Sequence, residues 1–372
     1  MTSSNGAPEA TPLEERFIQL IKLNGPMTVA DYMADAIGHP HEGYYTTQKA
    51  IGAEGDFTTA PEISQVFGEL LGLWLVDAWR NMGSPKEFNL VELGPGRGVL
   101  MADMLRAARL RPEFTRSAQV WLLETSGRLR HEQQKRLRAC EVKPLWADEF
   151  SDIPPAPSLI IANEFFDCLP IRQFQRVGKG WRERLVGLSA DENKLDFVLD
   201  PTPPPPDFEL PDPSESEEGD IFEISFAARD FIADMCRMLT EHEGAALIID
   251  YGHMQSGLGD TLQSVRDHEF WPPLASPGRA DITAHVDFES LARNAIDSGA
   301  AAHGPITQGK FLDRLGLALR VEMLCKGKPP EEAEKIRAGA SRIAASNQMG
   351  EIFKVLCLAS PSLPLPAGFD PL

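Results

Sequence analysis

The stretch LVELGPGRGVL, residues 90 to 100, is an apolar run that ends in an acid and continues into three closely spaced glycines. A strand, a glycine loop and a helix in this order can form an anion or nucleotide site, because glycine lets backbone N–H groups at the helix start approach a ligand. A dinucleotide site needs the spacing G-x-G-x-x-G, whereas Gly94, Gly96 and Gly98 are spaced G-x-G-x-G, and Val99 stands where the third glycine would be. The spacing therefore disfavours a pyrophosphate ligand.

Acidic residues lie at or just after the ends of the predicted strands around this loop. Glu92 precedes the first glycine by two residues, where a carboxylate repels a phosphate but attracts the positive amino group of an amino-acid ligand. Glu124 ends the next strand, where an acid can accept hydrogen bonds from both ribose hydroxyls. Asp148 follows the third strand, where it can face an adenine. Together with Pro95 and the glycines, these acids favour S-adenosylmethionine, and a ligand-free turn from strand to helix is the alternative.

Short apolar segments alternate with helical ones along the chain. Predicted strands cover 88–93, 118–124, 142–145, 158–164, 245–252 and 353–360. Helices are predicted between the first of them, at 99–109 and 126–138, and a strongly apolar helix at 64–82 precedes them all. This alternation predicts an α/β fold with a parallel sheet and crossover helices.

The chain has 372 residues, enough for two domains of about 150 residues each. The expected parts are N-terminal helices with a lid loop (1–83), the first part of the cofactor domain (84–165), an insert (166–244), a core strand (245–252), a second, substrate domain (253–345) and a C-terminal return to the core sheet (346–372). Within the insert, residues 200–220 are rich in prolines and acids and cannot bury enough apolar surface to fold. We expect a mobile, exposed loop there.

Composition limits the partners of the chain. Lys and Arg total 36 against 55 Asp and Glu, and a net charge of −19 disfavours binding to nucleic acid or anionic lipid. The five cysteines include no CxxC pair, so neither a disulfide framework nor a zinc cluster is indicated. The first residues lack the pattern of a signal or transit peptide, and no apolar run approaches the roughly 20 residues of a membrane span. We expect a cytoplasmic protein of bacterial type without membrane insertion.

Other catalytic motifs are incomplete or absent. GPITQGKF, residues 304–311, matches the start of a phosphate-binding loop but has Phe311 where the hydroxyl that ligates Mg²⁺ is needed. The sequence contains no G-x-S-x-G elbow and no H-x-x-x-H pair. Hydrolase and metalloenzyme functions therefore have no support, and no metal ligands are expected.

The stretch LIIANEFFDCLP, residues 159–170, places Asn163 and Glu164 where a predicted strand leaves the sheet. Ligands bind at this edge of open α/β sheets, so we expect the chemistry there. The alternative is that the carboxylate caps the next helix.

A polar segment, EGDFTTAPEIS at 54–64, comes directly before the apolar helix. The functional interpretation is a lid in which Asp56, Thr58, Thr59 and Glu62 close over cofactor or substrate. The alternative is a surface turn in which Thr59 or a neighbour caps the helix.

The chain resembles the MidA-like family of class I S-adenosylmethionine-dependent methyltransferases. The resemblance rests on motifs that occur in order between residues 13 and 360: GDFTTAPEISQVFGELLG, VELGPGRGVLMADMLR, ANEFFDCLPIRQF, LIIDYGH, DTLQSV, ADITAHVDF and TQGKFLDRLG. The acidic, proline-rich segment at 200–220 departs from them.

The resemblance implies a Rossmann-like methyltransferase sheet of seven strands with a smaller inserted domain. It implies S-adenosylmethionine at Glu92, Gly94, Gly96, Gly98 and Glu124. It also implies a protein arginine as the methyl acceptor, on a subunit of respiratory complex I (NADH:ubiquinone oxidoreductase) whose assembly the methylation aids.

An arginine acceptor makes a specific demand on the site. A guanidinium is protonated near neutral pH, so its methylation needs carboxylates that orient it and help to remove a proton. Glu164 and Asp167 are the candidates, with Asn163 beside them and Asp56 and Glu62 as helpers from the lid. The alternatives are a methyltransferase for another protein or a small molecule, and a non-catalytic assembly chaperone that retains the cofactor pocket.

Overall fold

The computed structural model describes residues 10–47, 59–140, 142–206 and 208–370. The α-helices in these ranges are α1 (Pro12–Asn24), α2 (Val29–Gly38), α3 (Tyr44–Thr47), α4 (Ala60–Ile63), α5 (Gln65–Asn81), α6 (Val99–Ala108), α7 (Pro112–Ser117), α8 (Gly127–Leu137), α9 (Phe226–His242), α10 (Phe288–Asp297), α11 (Gln308–Arg314), α12 (Leu317–Cys325), α13 (Pro330–Ala344) and α14 (Met349–Ile352).

The strands in the same ranges are β1 (Met27–Thr28), β2 (Phe88–Leu93), β3 (Ala118–Leu123), β4 (Leu145–Ala147), β5 (Ser158–Asn163), β6 (Arg172–Val177), β7 (Gly180–Leu188), β8 (Leu195–Leu199), β9 (Ile221–Ile224), β10 (Gly244–His253), β11 (Gln263–Arg266), β12 (Glu269–Trp271), β13 (Asp281–Thr283), β14 (Val286–Asp287), β15 (Ala301–Thr307) and β16 (Phe353–Ala359).

The largest sheet has the strand order β15-β16-β10-β5-β2-β3-β4. The strands from β10 to β4 pair in parallel, whereas β16 is antiparallel to both of its neighbours. The two-residue strand β14 pairs with the end of β10, so the sheet has seven strands along one path and eight in all. This arrangement is the predicted α/β sheet with crossover helices.

Two strands differ from their predicted positions. β4 begins at Leu145 instead of 142, because Pro144 has no N–H to donate to a strand ladder. β15 was not predicted, since Gly304 and Pro305 interrupt its pattern. Its pairing with β16 shifts register between His303 and Ile306, and an edge strand tolerates proline at such a bulge.

Apolar layers cover both faces of this sheet. Successive residues of a strand point to opposite faces, so Leu90 and Ile161 pack with the buried residues of α5 and α6. Val91 and Ile160 pack on the other face, with α9 and α10. Both faces of the central strands are therefore buried, which fits their nearly continuous apolar sequences.

Strands of the insert after β5 form a second sheet together with the short N-terminal strand β1. Its strand order is β1-β7-β6-β9, with β8 paired to β7, and α1 and α2 cover it in a separate apolar core. A third, small sheet has the order β12-β11-β13. Since β15 lies in the large sheet, residues 253–345 contribute to more than one sheet, and the expected division into domains stays a prediction.

Described residues of the segment 200–220 contact the second sheet. The guanidinium of Arg172 lies 4.8 Å from the ring centroid of Phe208. The indole N–H of Trp181 donates to the carbonyl of Pro211 at 2.8 Å. The expected mobility of this segment stays a prediction.

No helix among the described residues is long and apolar enough to cross a membrane.

Candidate cofactor and active site

Four neighbouring strands, β3, β2, β5 and β10, run in parallel, so their carboxyl ends meet at one edge of the large sheet. Leu93 at the end of β2 pairs with Ala162, and Asn163 at the end of β5 pairs with Ile249. The predicted site residues lie at or just after these strand ends. The structure thus brings the glycine loop and the predicted catalytic residues to the edge where open α/β sheets bind ligands.

The glycine loop has the backbone that its sequence requires. Gly94, Gly96 and Gly98 have φ angles of 59°, 49° and 74°, in the left-handed region that favours glycine. A Cβ atom on Gly94 would lie 3.1 Å from the ring of Phe165. Helix α6 begins at Val99 after a glycine cap that has no side chain. The loop therefore presents a bare backbone at a helix start, as a bound nucleoside requires.

Glu92 lies beneath this loop and is almost fully buried. Its carboxyl accepts a hydrogen bond from the N–H of Met101, in the first turn of α6. Burial raises its pKa well above the usual value for a glutamate, and the Met101 hydrogen bond only partly opposes this. Its Oε2 atom is buried without a partner among the described residues. The amino group of S-adenosylmethionine would supply such a partner, so this residue fits the cofactor.

Glu124 lies at the end of β3, where a ribose is expected. Its Oε1 accepts the N–H of Ser126 at 2.8 Å, and its Oε2 accepts the side-chain amide of Gln133 at 3.1 Å. Burial raises its pKa, while these hydrogen bonds lower it. The carboxyl is thus held in a fixed orientation beside the glycine loop.

Gln133 connects Glu124 to the glycine loop and was not predicted from the sequence. Its Nε2 also donates to the carbonyl of Gly96 at 2.7 Å, and its Oε1 accepts the indole N–H of Trp146 at 2.8 Å. The side chain is fully buried. A signal was present, because Leu129, Gln133 and Leu137 occupy one face of α8 at helical spacing.

Asp148 and Thr59 lie at the margins of this edge. Asp148 is 69% exposed at its side chain and pairs with Arg130 at 2.7 Å, and Arg130 also donates to the carbonyl of Glu124. Thr59 precedes α4, but its side chain makes no capping hydrogen bond. The predicted residues Asp56 and Thr58 lie outside the described residues.

Glu62, a predicted helper of the lid, faces the glycine loop from α4. Its Oε1 lies 3.6 Å from Nη1 of Arg97. The described end of the predicted lid segment therefore lies against the glycine loop.

Glu164 follows β5 in a left-handed backbone conformation, with φ of 52°. Its Oε1 accepts the side-chain amide of Asn163 at 3.1 Å and the N–H of Ala60 at 3.3 Å. Burial and the charge of Asp167 raise its pKa to about 7. No helix begins directly after Glu164, so the alternative of a cap for the next helix is not what the structure shows.

Asn163, Glu164 and Asp167 lie in one turn at the end of β5, residues 163–167, called here the acidic turn. Asp167 is buried, and burial raises its pKa to about 6 although Tyr251 donates a hydrogen bond to it. The Oδ1 atom of Asn163 is buried without a hydrogen-bond partner among the described residues. A cationic substrate group would give all three polar side chains a favourable partner.

Asp250 and Tyr251, near the end of β10, were not among the predicted site residues, although they belong to the family motif LIIDYGH. Asp250 accepts three backbone N–H groups from the acidic turn, and Tyr251 contacts Asp167. The signal was an acid at the end of an otherwise apolar strand. Within the described ranges, no group of three or more His, Cys, Asp or Glu side chains could hold a metal ion.

The comparisons with known proteins agree with this geometry. Residues 70–306 match the family described as "Putative S-adenosyl-L-methionine-dependent methyltransferase". The chain is 36% identical to "Protein arginine methyltransferase NDUFAF7, mitochondrial" of Xenopus tropicalis, over 98% of this chain and 90% of that protein. It is 35% identical to the Homo sapiens protein of the same name, over 94% and 83% of the two chains.

The fold is similar to that of a solved structure from Burkholderia thailandensis with S-adenosyl-homocysteine bound. The TM-score is 0.80 at 24% identity, covering 98% of this chain and 97% of the other. The chain belongs to the family of S-adenosyl-L-methionine-dependent methyltransferases. The class inferred from the glycine loop and the motifs is therefore confirmed, together with its α/β fold and its cofactor.

The expectation of a cytoplasmic location is wrong. The relatives from Xenopus tropicalis, Drosophila melanogaster, Mus musculus and Homo sapiens are all named as mitochondrial proteins. The expectation depended on the cysteine pattern and on the absence of a leader-like or membrane-spanning pattern, and such absences do not fix a location.

Proposed function

We propose that this protein transfers a methyl group from S-adenosylmethionine to an arginine side chain of a protein, and that the acceptor is a subunit of respiratory complex I. The observation that carries the proposal is the pair of carboxyl groups of Glu164 and Asp167. Both have raised pKa values and lie in one turn beside the glycine loop.

When bound, S-adenosylmethionine supplies an electrophilic methyl group. Glu92 would hold its amino group, Glu124 its ribose hydroxyls, and the loop of Gly94, Gly96 and Gly98 would lie along it. The buried, unpartnered oxygen of Glu92 supports the first of these roles, and the bare backbone at the start of α6 supports the last.

The acidic turn has the chemistry that a guanidinium needs. Arginine remains protonated near neutral pH, and it donates hydrogen bonds in a planar fork that suits carboxylates. Glu164 and Asp167 would orient this fork, and one of them would accept the proton lost on methylation. Carboxyls with pKa values of about 7 and about 6 are suited to proton transfer near neutral pH.

The relatives and the charge support the same acceptor. Proteins named arginine methyltransferases match 98% and 94% of this chain. The net charge of −19 suits a basic acceptor segment. The complex I subunit is proposed from the resemblance to the MidA-like family.

The smaller sheets would bind the acceptor segment. Asp281, on β13, accepts the hydroxyl of Tyr45 at 3.4 Å, and Thr283, on the same strand, contacts Tyr251. Residues of 253–345 therefore lie next to the acidic turn. This is the support for proposing a substrate-binding role for that part of the chain.

Transfer to purified complex I subunits with labelled S-adenosylmethionine tests the proposal. The expected product is a subunit heavier by whole methylene units, with the added mass mapped to an arginine. Label on another residue type, or on a small molecule only, would contradict the arginine acceptor. Cofactor binding without any transfer would support the chaperone alternative.

A further inference from the structure

The buried carboxyl of Asp250 binds three consecutive backbone N–H groups of the acidic turn. Its Oδ2 accepts the N–H groups of Phe165, Phe166 and Asp167 at 3.1, 3.0 and 3.1 Å. Its Oδ1 accepts the N–H of Tyr251 at 2.9 Å. Both oxygens are thus used by backbone donors, and an acceptor with both oxygens bound in this way leaves the turn little freedom to move.

The residues held by Asp250 contact both the glycine loop and the proposed acceptor site. Phe165 lies against Gly94 of the cofactor loop, 3.1 Å from where a Cβ atom would be. Asp167, at the other end of the turn, is hydrogen-bonded to Tyr251. One carboxyl therefore fixes the position of the cofactor loop relative to the proposed acceptor site.

The backbone at Glu164 strengthens the need for such an anchor. A non-glycine residue with φ of 52° is in a conformation of higher energy. Its N–H donates to the carbonyl of Ile249 at 2.9 Å, one residue before Asp250. The end of β10 thus supports both the strained residue and the three amides that follow it.

We propose that Asp250 is a positioning residue for methyl transfer. Asp250 is fully buried and both of its oxygens accept backbone N–H groups, so it acts by holding the turn that carries Glu164 and Asp167 against the glycine loop. The expected effect on the rate of methyl transfer rests on the proposed function. The three hydrogen bonds from backbone amides to one carboxyl do not depend on it.

Three variants test the proposal. Asp250→Ala removes the acceptor for all four N–H groups. Asp250→Asn keeps one oxygen for the turn, but its amide then meets the N–H of Tyr251, so an intermediate effect is expected. Asp103→Asn is the control, because Asp103 is a buried carboxyl outside the site, paired with Arg106 at 2.6 Å.

The first measurement is amide hydrogen exchange at Phe165, Phe166 and Asp167. We expect exchange in Asp250→Ala to rise about tenfold or more, because the amides lose their buried acceptor. Asp250→Asn should show a smaller rise, and Asp103→Asn none. Unchanged protection in both folded Asp250 variants would overturn the proposal.

The second measurement separates kcat from KM in methyl transfer. We expect kcat of Asp250→Ala to fall about 100-fold, the effect of a misplacement near 1 Å, with KM for the acceptor little changed. An equal loss in Asp103→Asn would show a general loss of stability and would overturn positioning. A wild-type protein inactive on arginine would contradict the proposed function instead, and hydrogen exchange would still decide the role of Asp250.

Discussion

The carboxyl of Glu164 accepts a hydrogen bond from the backbone N–H of Ala60 at 3.3 Å, across 104 residues of sequence. This bond joins the start of α4, at the described end of the predicted lid segment, to the turn with the proposed catalytic residues. Glu62, in the same short helix, lies near Arg97 of the glycine loop. The start of α4 therefore contacts both the glycine loop and the turn that carries Glu164.

Replacing Glu164 should separate cofactor binding from methyl transfer. In Glu164→Gln the amide oxygen can still accept the N–H of Ala60, but the charge is lost. We expect the transfer rate to fall about 100-fold or more, with the affinity for S-adenosyl-homocysteine within about threefold of wild type by calorimetry. The exposed Glu113→Gln is the control. Wild-type transfer rates in Glu164→Gln would exclude Glu164 from catalysis.

Gln133 should matter for both stability and cofactor affinity. Gln133→Leu leaves the carbonyl of Gly96 and the indole of Trp146 without their partner, at a cost of about 1–3 kcal/mol in the free energy of unfolding. Because Glu124 also loses a hydrogen bond, binding of S-adenosyl-homocysteine should weaken as well.

The matched control is Gln134→Leu, next to Gln133 in sequence but exposed on α8. Denaturant unfolding and calorimetry on both variants test the prediction. Equal effects at the two positions would mean that the buried hydrogen bonds of Gln133 contribute nothing specific.

Two glycines with the same backbone allow strain to be separated from contact. Gly94 and Gly178 have φ angles of 59° and 60°, but a Cβ atom would meet Phe165 only at Gly94. Alanine at either position should lower the free energy of unfolding by about 1–2 kcal/mol through backbone strain. Only Gly94→Ala should also weaken binding of S-adenosyl-homocysteine. Unaltered affinity in Gly94→Ala would contradict the predicted role of the loop.

The rate of methyl transfer should rise with pH as the acidic turn loses its protons. Glu164 and Asp167 have pKa values of about 7 and about 6, raised chiefly by burial, and only their ionised forms can accept a proton. Because the two groups interact, the rise should belong to the pair rather than to either residue. Initial rates from about pH 5 to pH 8 test this, and a profile without a rise across that range would contradict it.

The same pKa shifts predict the sign of the pH dependence of stability. Folding raises the pKa of Glu164 from 4.5 to about 7, so between these values the folded state binds more protons than the unfolded state. The free energy of unfolding should therefore decrease as pH rises through this window. Glu164→Gln should show a weaker decrease when unfolding is measured at both ends of the window. An identical decrease in both proteins would mean that Glu164 does not titrate in this way.

Much of the fold followed from local patterns in the sequence. Apolar strands between amphipathic helices predicted the parallel sheet, because burial on both faces leaves few polar positions in its strands. The spacing of Gly94, Gly96 and Gly98 disfavoured a pyrophosphate, and the positive φ angles of all three agree with a glycine at each position. The sequence also predicted that Glu92 and Glu124 lie at one edge of the sheet, because parallel strands end at a common edge, and β2 and β3 do pair in parallel. Their cofactor contacts stay a prediction.

What only the tertiary structure decided are the contacts between segments distant in sequence. Gln133 reaches the carbonyl of Gly96, and Asp250 holds the turn at 165–167 from another strand. β15 pairs in the large sheet although a glycine and a proline interrupt its strand pattern in the sequence. Periodicity reports which face of an element is buried, but not which partner lies across it. The partner depends on strand order and packing, and these arise only when the whole chain is folded.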